Sequence, residues 1–156
     1  MAKYGVSFAS FATTTSVLTA LKIVSVTKFP WEIVELGMFG GGLAAGADIQ
    51  HQATFSYLTA GGAGTGAGSP PTPEPFSKSS PAASSSILWK MSAEPTTYAT
   101  VFPVLFSFNQ RGGMRWSVPQ GEGLADTFEQ TQMHGGWRIQ SSAIGSVDGM
   151  MAWWER

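Results

Sequence analysis

The chain has 156 residues, with 19 Gly, 9 Pro and no Cys; 43% are hydrophobic, only 12% are charged, and the formal net charge is -1. A chain of this size buries roughly two thirds of its unfolded surface, so a single domain over 1–156 is expected and a second does not fit. The charge balance excludes a field that would draw in nucleic acid or an anionic membrane, and the lack of Cys excludes disulfides, thiolate metal sites and cysteine nucleophiles.

The charged share is about half of the usual quarter, which leaves Ser, Thr, Gln and Gly to carry the polar surface. Absence of Cys also suits synthesis in a reducing cytoplasm. A mildly apolar stretch follows Lys3, but Ser7, Ser10 and Thr13 to Ser16 interrupt it before it can form the apolar centre of a signal peptide. No run approaches the ~20 apolar residues that cross a bilayer.

Period-two patterns with β-branched and aromatic residues dominate, and helix-forming Glu, Lys and Arg are scarce, so the chain reads as all-β. Tyr4, Val6 and Phe8 alternate with small or polar neighbours. After a Thr-rich bend, Leu21, Ile23, Val24 and Val26 form a run too branched for a helix. Pro30 breaks this second strand, and Trp31 to Phe39 resumes, with Val34, Leu36 and Met38 on one face and Ile33, Glu35 and Gly37 on the other. Gly40 to Gly42 end it. From Asp48 to Leu58, His51, Ala53, Phe55 and Tyr57 share one side and Gln50, Gln52, Thr54 and Ser56 the other, the alternation of a half-buried strand.

Residues 59–86 shift to Gly, Ala, Ser and Pro without apolar periodicity, with only Glu74, Phe76 and Lys78 interrupting. Loops longer than about 15 residues are uncommon in compact domains, and Pro70, Pro71, Pro73 and Pro75 make this one extended and semi-rigid. An arm reaching over a neighbour and a floppy surface loop are both consistent with it. Ile87 to Met91 follows, then Phe102, Val104, Phe106 and Phe108 alternate along a core-facing strand that Gly112 and Gly113 close. Met114 to Val118 ends at Pro119, and Gln120 to Gly135 is polar, with at most a helical turn near Asp126 to Gln132. Trp137 to Ile144 and Val147 to Trp154, separated by Gly145-Ser146, look like a hairpin. Eight to ten antiparallel strands with one long Gly/Pro/Ser-rich loop suit a β-sandwich or jelly roll.

Catalytic and cofactor signatures are scarce. Gly62-Ala63-Gly64 meets a loosened dinucleotide fingerprint, but Ser69-Pro70-Pro71 follows where a helix must begin, so no phosphate cradle is expected. His51 and His134 lack ligand spacing for zinc, and no Gly-x-Ser-x-Gly elbow accompanies a Ser/His pair. Glu32 and Glu35 have an odd spacing that points them to opposite faces of a regular strand, which argues against a shared proton. Two carboxylates from different strands could still converge as in a glycosidase. No cofactor or metal is expected, and no enzyme activity.

The apolar surplus is the positive signal: six Trp, ten Phe and seven Met on a chain with few charges. On the last strand Met150 and Trp154 share one face and Met151 and Trp153 the other, so one sheet face cannot hide all four. Either a second layer or another subunit covers the rest, and aromatic and Met enrichment with charge depletion is what interface cores show. Arg111 and Arg115, beside Trp116, could stack on the indole, bond carbonyls at a strand end, or pair with an acidic residue across an interface. The candidate interface residues are therefore Phe76, Arg111, Arg115, Trp116, Met150, Met151, Trp153 and Trp154.

The segment Phe108-Asn109-Gln110-Arg111-Gly112-Gly113-Met114-Arg115-Trp116, continuing through Pro119, Gly121, Glu122 and Leu124, resembles small structural proteins of tailed bacteriophages. Trp31 to Gly37 and Trp153-Trp154-Glu155 are similar to the same group. The resemblance implies a capsid decoration, or cement, protein of the virion surface, made in the bacterial host cytoplasm. It implies a jelly-roll homotrimer partnered with the major capsid protein; a head fibre or tail adaptor belongs to the same group. A β-sandwich that binds or hydrolyses carbohydrate is the alternative, with Trp116 or Trp137 stacking on sugar rings.

Overall fold

The computed structural model describes residues 1–25, 31–41, 48–58, 69–91, 94–95, 104–125 and 134–155. Among them the chain is all-β, with eleven strands and no helix. The strands are β1 (Ala2–Thr13), β2 (Leu18–Val24), β3 (Trp31–Gly40), β4 (Gln50–Leu58), β5 (Glu74–Pro75), β6 (Ser86–Trp89), β7 (Val104–Asn109), β8 (Gly113–Ser117), β9 (Leu124–Ala125), β10 (His134–Ser141) and β11 (Gly145–Glu155). The expected break at Pro30, the Gly62-Ala63-Gly64 stretch, Phe102 and the helical turn near Asp126 to Gln132 lie outside the described residues.

Two antiparallel sheets make a sandwich. The first runs β5-β1-β11-β3-β8, with the short β9 also on β3; the second runs β6-β2-β10-β4-β7. Leaving out the short β5, β6 and β9, pairing proceeds from outside in along the chain: β1 with β11, β2 with β10, β3 with β8 and β4 with β7. No two strands consecutive in sequence pair with each other. The Gly145-Ser146 turn is therefore not a hairpin, because β10 belongs to the second sheet and β11 to the first. Residues 142–144 form a corner between sheets.

Alternation decides the core. Tyr4, Val6 and Phe8 point inward, as do Val147, Met151 and Trp153 across from them, and the second sheet contributes Leu21, Ile23, Phe55, Trp137 and Ile139. The indoles of Trp31, Trp137 and Trp153 are completely enclosed, and each large side chain removed from such a core costs about 3–5 kcal/mol. Much of the aromatic and Met surplus is thus core material.

Three bulges interrupt the alternation, one of them on β2, where Ala20 is the extra residue against Trp137 and Arg138. On β1, Ala9 and Ser10 together face Asp148, and Ser10 takes φ 55°, a left-handed conformation that side chains disfavour. Its N–H donates to Asp148 Oδ1 at 2.7 Å, a charge-assisted bond that offsets the strain. On β3, Glu35 pairs with Ala152 and Ile33 with Trp153, so Val34 is the extra residue. Ile33 then joins Trp31, Leu36 and Met38 on the core side, a correction to the strict alternation expected for this strand.

Carboxylates hold the connections down. Glu155 accepts N–H bonds from Ser84 at 2.7 Å and Ser85 at 2.8 Å, and one from Trp153 Nε1 at 3.1 Å. Tyr4 Oη donates to the Pro81 carbonyl at 3.0 Å, and β5 pairs with β1 at Tyr4 and Gly5. The expected arm is therefore docked on its own domain at Glu74 to Phe76, Pro81, Ser84 and Ser85. Glu94 accepts from both the N–H and the hydroxyl of Thr19 at 2.6 Å.

Candidate interface

The eight expected interface residues separate by face. The outer face of the first sheet carries four of them, placed there by the register: Lys3 pairs with Trp154, Gly5 with Ala152 and Ser7 with Met150, while Gly37 pairs with both Met150 and Arg115. Phe76 reaches the same face from the end of β5, because a Cβ at Gly5 would lie 2.8 Å from its ring. Phe76, Arg115, Met150 and Trp154 thus come together although the chain separates them widely. Met151 and Trp153 point the other way, are 1% and 0% exposed, and offer nothing to a partner. They leave the interface set because period two puts them in the core.

Trp116 also faces inward, half-buried against the core. Adjacent strand residues point to opposite faces, so the guanidinium of Arg115 does not stack on Trp116. It bonds Glu35 Oε1 instead, through Nε and NH2, each at 2.8 Å. Lys3 Nζ stands 3.9 Å from the other Glu35 oxygen and 4.7 Å from the Phe76 ring centre. Arg111 lies in the exposed β7–β8 corner, with its N–H on Asn109 Oδ1 and its guanidinium 3.3 Å from Asp48.

The bulge at Val34 overturns another expectation: Glu32 and Glu35 share this outer face, beside Trp154 and Ala152 respectively. Shared placement does not make them a catalytic pair. Glu35 is neutralised by Arg115 and Lys3, and Glu32 accepts the backbone N–H groups of Gly121 and Gly123. Each carboxylate is committed to holding structure, leaving neither as a free acid or base.

Between the charges the face is apolar with a glycine floor. Met150 and Phe39 lie over Gly37, where a Cβ would stand 2.9 Å from Met150 Cγ and 3.3 Å from the Phe39 ring, and Phe39 also covers Gly113. Phe76 covers Gly5 in the same manner. Large side chains lie flat on bare backbone in a band crossing β5, β1, β11, β3 and β8, and Phe39 and Phe76 remain 42% and 61% exposed. A recess of about 380 Å³ opens in this band, lined among others by Gly5, Ser7, Glu74, Phe76 and Met150.

The outer face of the second sheet is different in kind. Gly136 pairs with Lys22 on one side and Ser56 on the other, and His134 pairs with Leu58. Lys22, Ser56 and His134 are buried, and Lys22 Nζ, Ser56 Oγ and both His134 nitrogens have no hydrogen-bond partner among the described residues. Burial lowers the Lys22 ammonium below its ordinary range. Burial, and then the positive charge of Lys22, push the His134 imidazole down to about 4, so it is neutral at pH 7. The sequence held no signal for this cluster, because Lys22 reads as a solvated strand residue.

Farther along that face, Gln50, Gln52, Ser107 and Gln140 help line a polar recess of about 330 Å³. Beneath it His51 Nδ1 and Ser141 Oγ are 2.6 Å apart, and the His51 ring lies tilted against that of Phe108, 5.1 Å between centres. Both are buried; desolvation lowers the imidazole pKa, and the nearby Gln110 side chain opposes this. The pair lies against the core as a structural bond. Trp137, expected as a sugar platform, is wholly buried and cannot stack on a ligand. No group of three or more His, Asp or Glu side chains among the described residues could hold a metal ion, and no helix there is long and apolar enough to cross a membrane. No family model, no curated protein and no solved structure matches the chain.

Proposed function

We propose that the protein is a non-enzymatic virion component: a decoration, or cement, protein of a tailed-phage head that bridges major capsid protein subunits. One observation carries the reading. The outer face of the first sheet presents a glycine-floored apolar band in which Glu35, Arg115 and Lys3 are paired with one another, which suits a partner surface more than a reaction. Monomers rarely leave a contiguous apolar patch of several hundred Å² open to water, and aromatic and Met side chains with few free charges are what interface centres use. The outside-in pairing of the eight principal strands supports a jelly roll, in which one long antiparallel ribbon wraps into two sheets. On this reading the protein sits on the capsid surface as a homotrimer, and several contacts per trimer add avidity. Binding only the assembled lattice stabilises that lattice in proportion to occupancy.

The test is addition of purified protein to undecorated particles, with sedimentation and image reconstruction as readouts. Saturable binding that raises the temperature of particle disruption is expected, and Phe39→Ser should abolish it. Failure to bind any head or tail particle would overturn the reading, while density on a tail or fibre would move the protein to the adaptor role. A carbohydrate-binding reading keeps one supporting observation, the Gln- and Ser-lined recess, whose amides and hydroxyls match sugar hydroxyls. A glycan array with wild type and Gln52→Ala decides it: binding lost in the variant favours this reading, and a blank array removes it.

A further inference from the structure

We propose that two copies of this chain pair edge to edge through β7, antiparallel about a two-fold axis at Phe106, so that their second sheets join into one. The contact goes beyond the proposed function, whose apolar band lies on the other sheet. β7 ends the second sheet and pairs only with β4 among the described strands. Gln110 N–H donates to the Ile49 carbonyl at 2.9 Å and continues that ladder. Alternation therefore turns the backbone groups of Phe108, Phe106 and Val104 toward β4, and those of Asn109, Ser107 and Leu105 to the open side. The Asn109 carbonyl is taken by Gly112 N–H at 2.9 Å. The N–H and C=O of Leu105 and of Ser107 have no partner among the described residues, and both residues are exposed, Leu105 at 50%.

The other sheet edges are blunted, and this one is not. Along one edge of the first sheet, β5 covers Tyr4 and Gly5 and contains Pro75, and farther along β1 the left-handed Ser10 bulge bends the strand. At the opposite edge β8 carries the charged Arg115. In the second sheet β6 has only four residues and runs into Lys90 at φ 50°. Short strands, prolines, bulges and charges are the devices that keep sheet edges from pairing. β7 holds no charge and no proline, and its register with β4 runs unbroken from Val104 to Asn109. An edge of this kind takes a strand, and the symmetry of β7 points to its own copy. With Phe106 on the axis, Leu105 of each copy lies opposite Ser107 of the other, so each such pair exchanges both N–H···O=C bonds and none of these open groups is left over. Phe106, half-buried against the core, meets its counterpart in a close non-hydrogen-bonded pair, and Val104 meets Phe108; such aromatic and β-branched pairs stabilise antiparallel neighbours. No like charges meet, because the strand carries none. The same patch on both copies closes the assembly as a dimer, and on a particle it would link copies from neighbouring trimers.

The test separates backbone pairing from side-chain contact at one position. Ser107 N–H faces the open side, so Ser107→Pro removes a donor from both pairs without touching the ladder to β4, while Ser107→Ala keeps it. In sedimentation equilibrium over a dilution series, wild type and Ser107→Ala should dimerise with similar constants and Ser107→Pro at least ~10-fold more weakly, with circular dichroism of the dilute variant showing that the fold is intact. A wild type that stays monomeric throughout, or a Ser107→Pro that dimerises like wild type, would overturn the proposal. Should Ser107→Pro fail to fold, Leu105→Lys puts a charge on the same open edge at an exposed position and carries the same expectation. Cysteine, absent from the chain, reads the register: Phe106→Cys should cross-link to itself under mild oxidation and Ser107→Cys should not, and equal or reversed yields would overturn it. Particle binding by wild type is scored separately. A strictly monomeric chain that binds particles removes this contact and leaves the proposed function standing, and a dimer that binds no particle does the opposite.

Discussion

The two sheets turn opposite kinds of surface outward. The first presents Phe39, Phe76 and Met150 flat on glycine backbone, with Glu35 neutralised by Arg115 and Lys3; the second encloses Lys22, His134 and Ser56, whose polar atoms lack partners among the described residues. Apolar groups lie open where a folded monomer would hide them, and polar groups are hidden where a monomer would solvate them. The contrast teaches that strand alternation settles only which residues leave the shared core. What becomes of the outward set depends on what lies over each face.

The largest effect should fall on the layer that both faces share. Trp137→Ala removes a fully enclosed indole, and chemical denaturation is expected to show a loss of about 3–5 kcal/mol; a loss below about 1 kcal/mol would mean that the two sheets do not pack around it. Next comes acid. The folded His134 holds its proton only below about 4, against about 6.5 in the unfolded chain, so between these values the unfolded state binds more protons and stability rises with pH. Stability should decline as pH falls from about 6.5 to 4, by up to about 3 kcal/mol, and His134→Leu should flatten that limb of the profile.

A smaller change of opposite sign is expected at Lys22. Replacing its buried ammonium, without a partner among the described residues, by an apolar chain of similar length, Lys22→Met, should raise stability by about 1–2 kcal/mol. It should also shrink the acid-dependent loss, because the charge that helps depress His134 is gone. A destabilised Lys22→Met would show that the ammonium has a partner in solution. The smallest effect on folding belongs to the first sheet: Phe39→Ser should change stability by no more than about 0.5 kcal/mol while removing particle binding. A large stability loss there would make Phe39 part of the fold and not of an interface.

Several features were legible in the chain. Alternation at Tyr4, Val6 and Phe8, and again along Gln50 to Tyr57, follows directly from period two, and the strands lie where those patterns place them. Legibility failed where a strand departs from regularity. The spacing of Glu32 and Glu35 implies opposite faces, yet Val34 is squeezed out of register against Ala152 and Trp153 and returns both carboxylates to one side. Trp137 looked available for a ligand because an indole in a strand carries no label for its face. Phe76, Arg115, Met150 and Trp154 were each visible as surplus apolar or cationic residues, but only pairing among β1, β11, β3 and β8, with β5 alongside, gathers them.

By itself the amino-acid order determined the secondary structure class, most strand positions and the places where the chain turns, because these depend on local sterics and on burial of alternate side chains. The tertiary structure decided the destination of each turn. The hairpin expected at Gly145-Ser146 crosses to the other sheet, since a strand can satisfy its backbone groups against any neighbour and the choice falls to the packing of the whole sandwich. The same long-range pairing decided which surplus side chains fill the core and which remain on an open face.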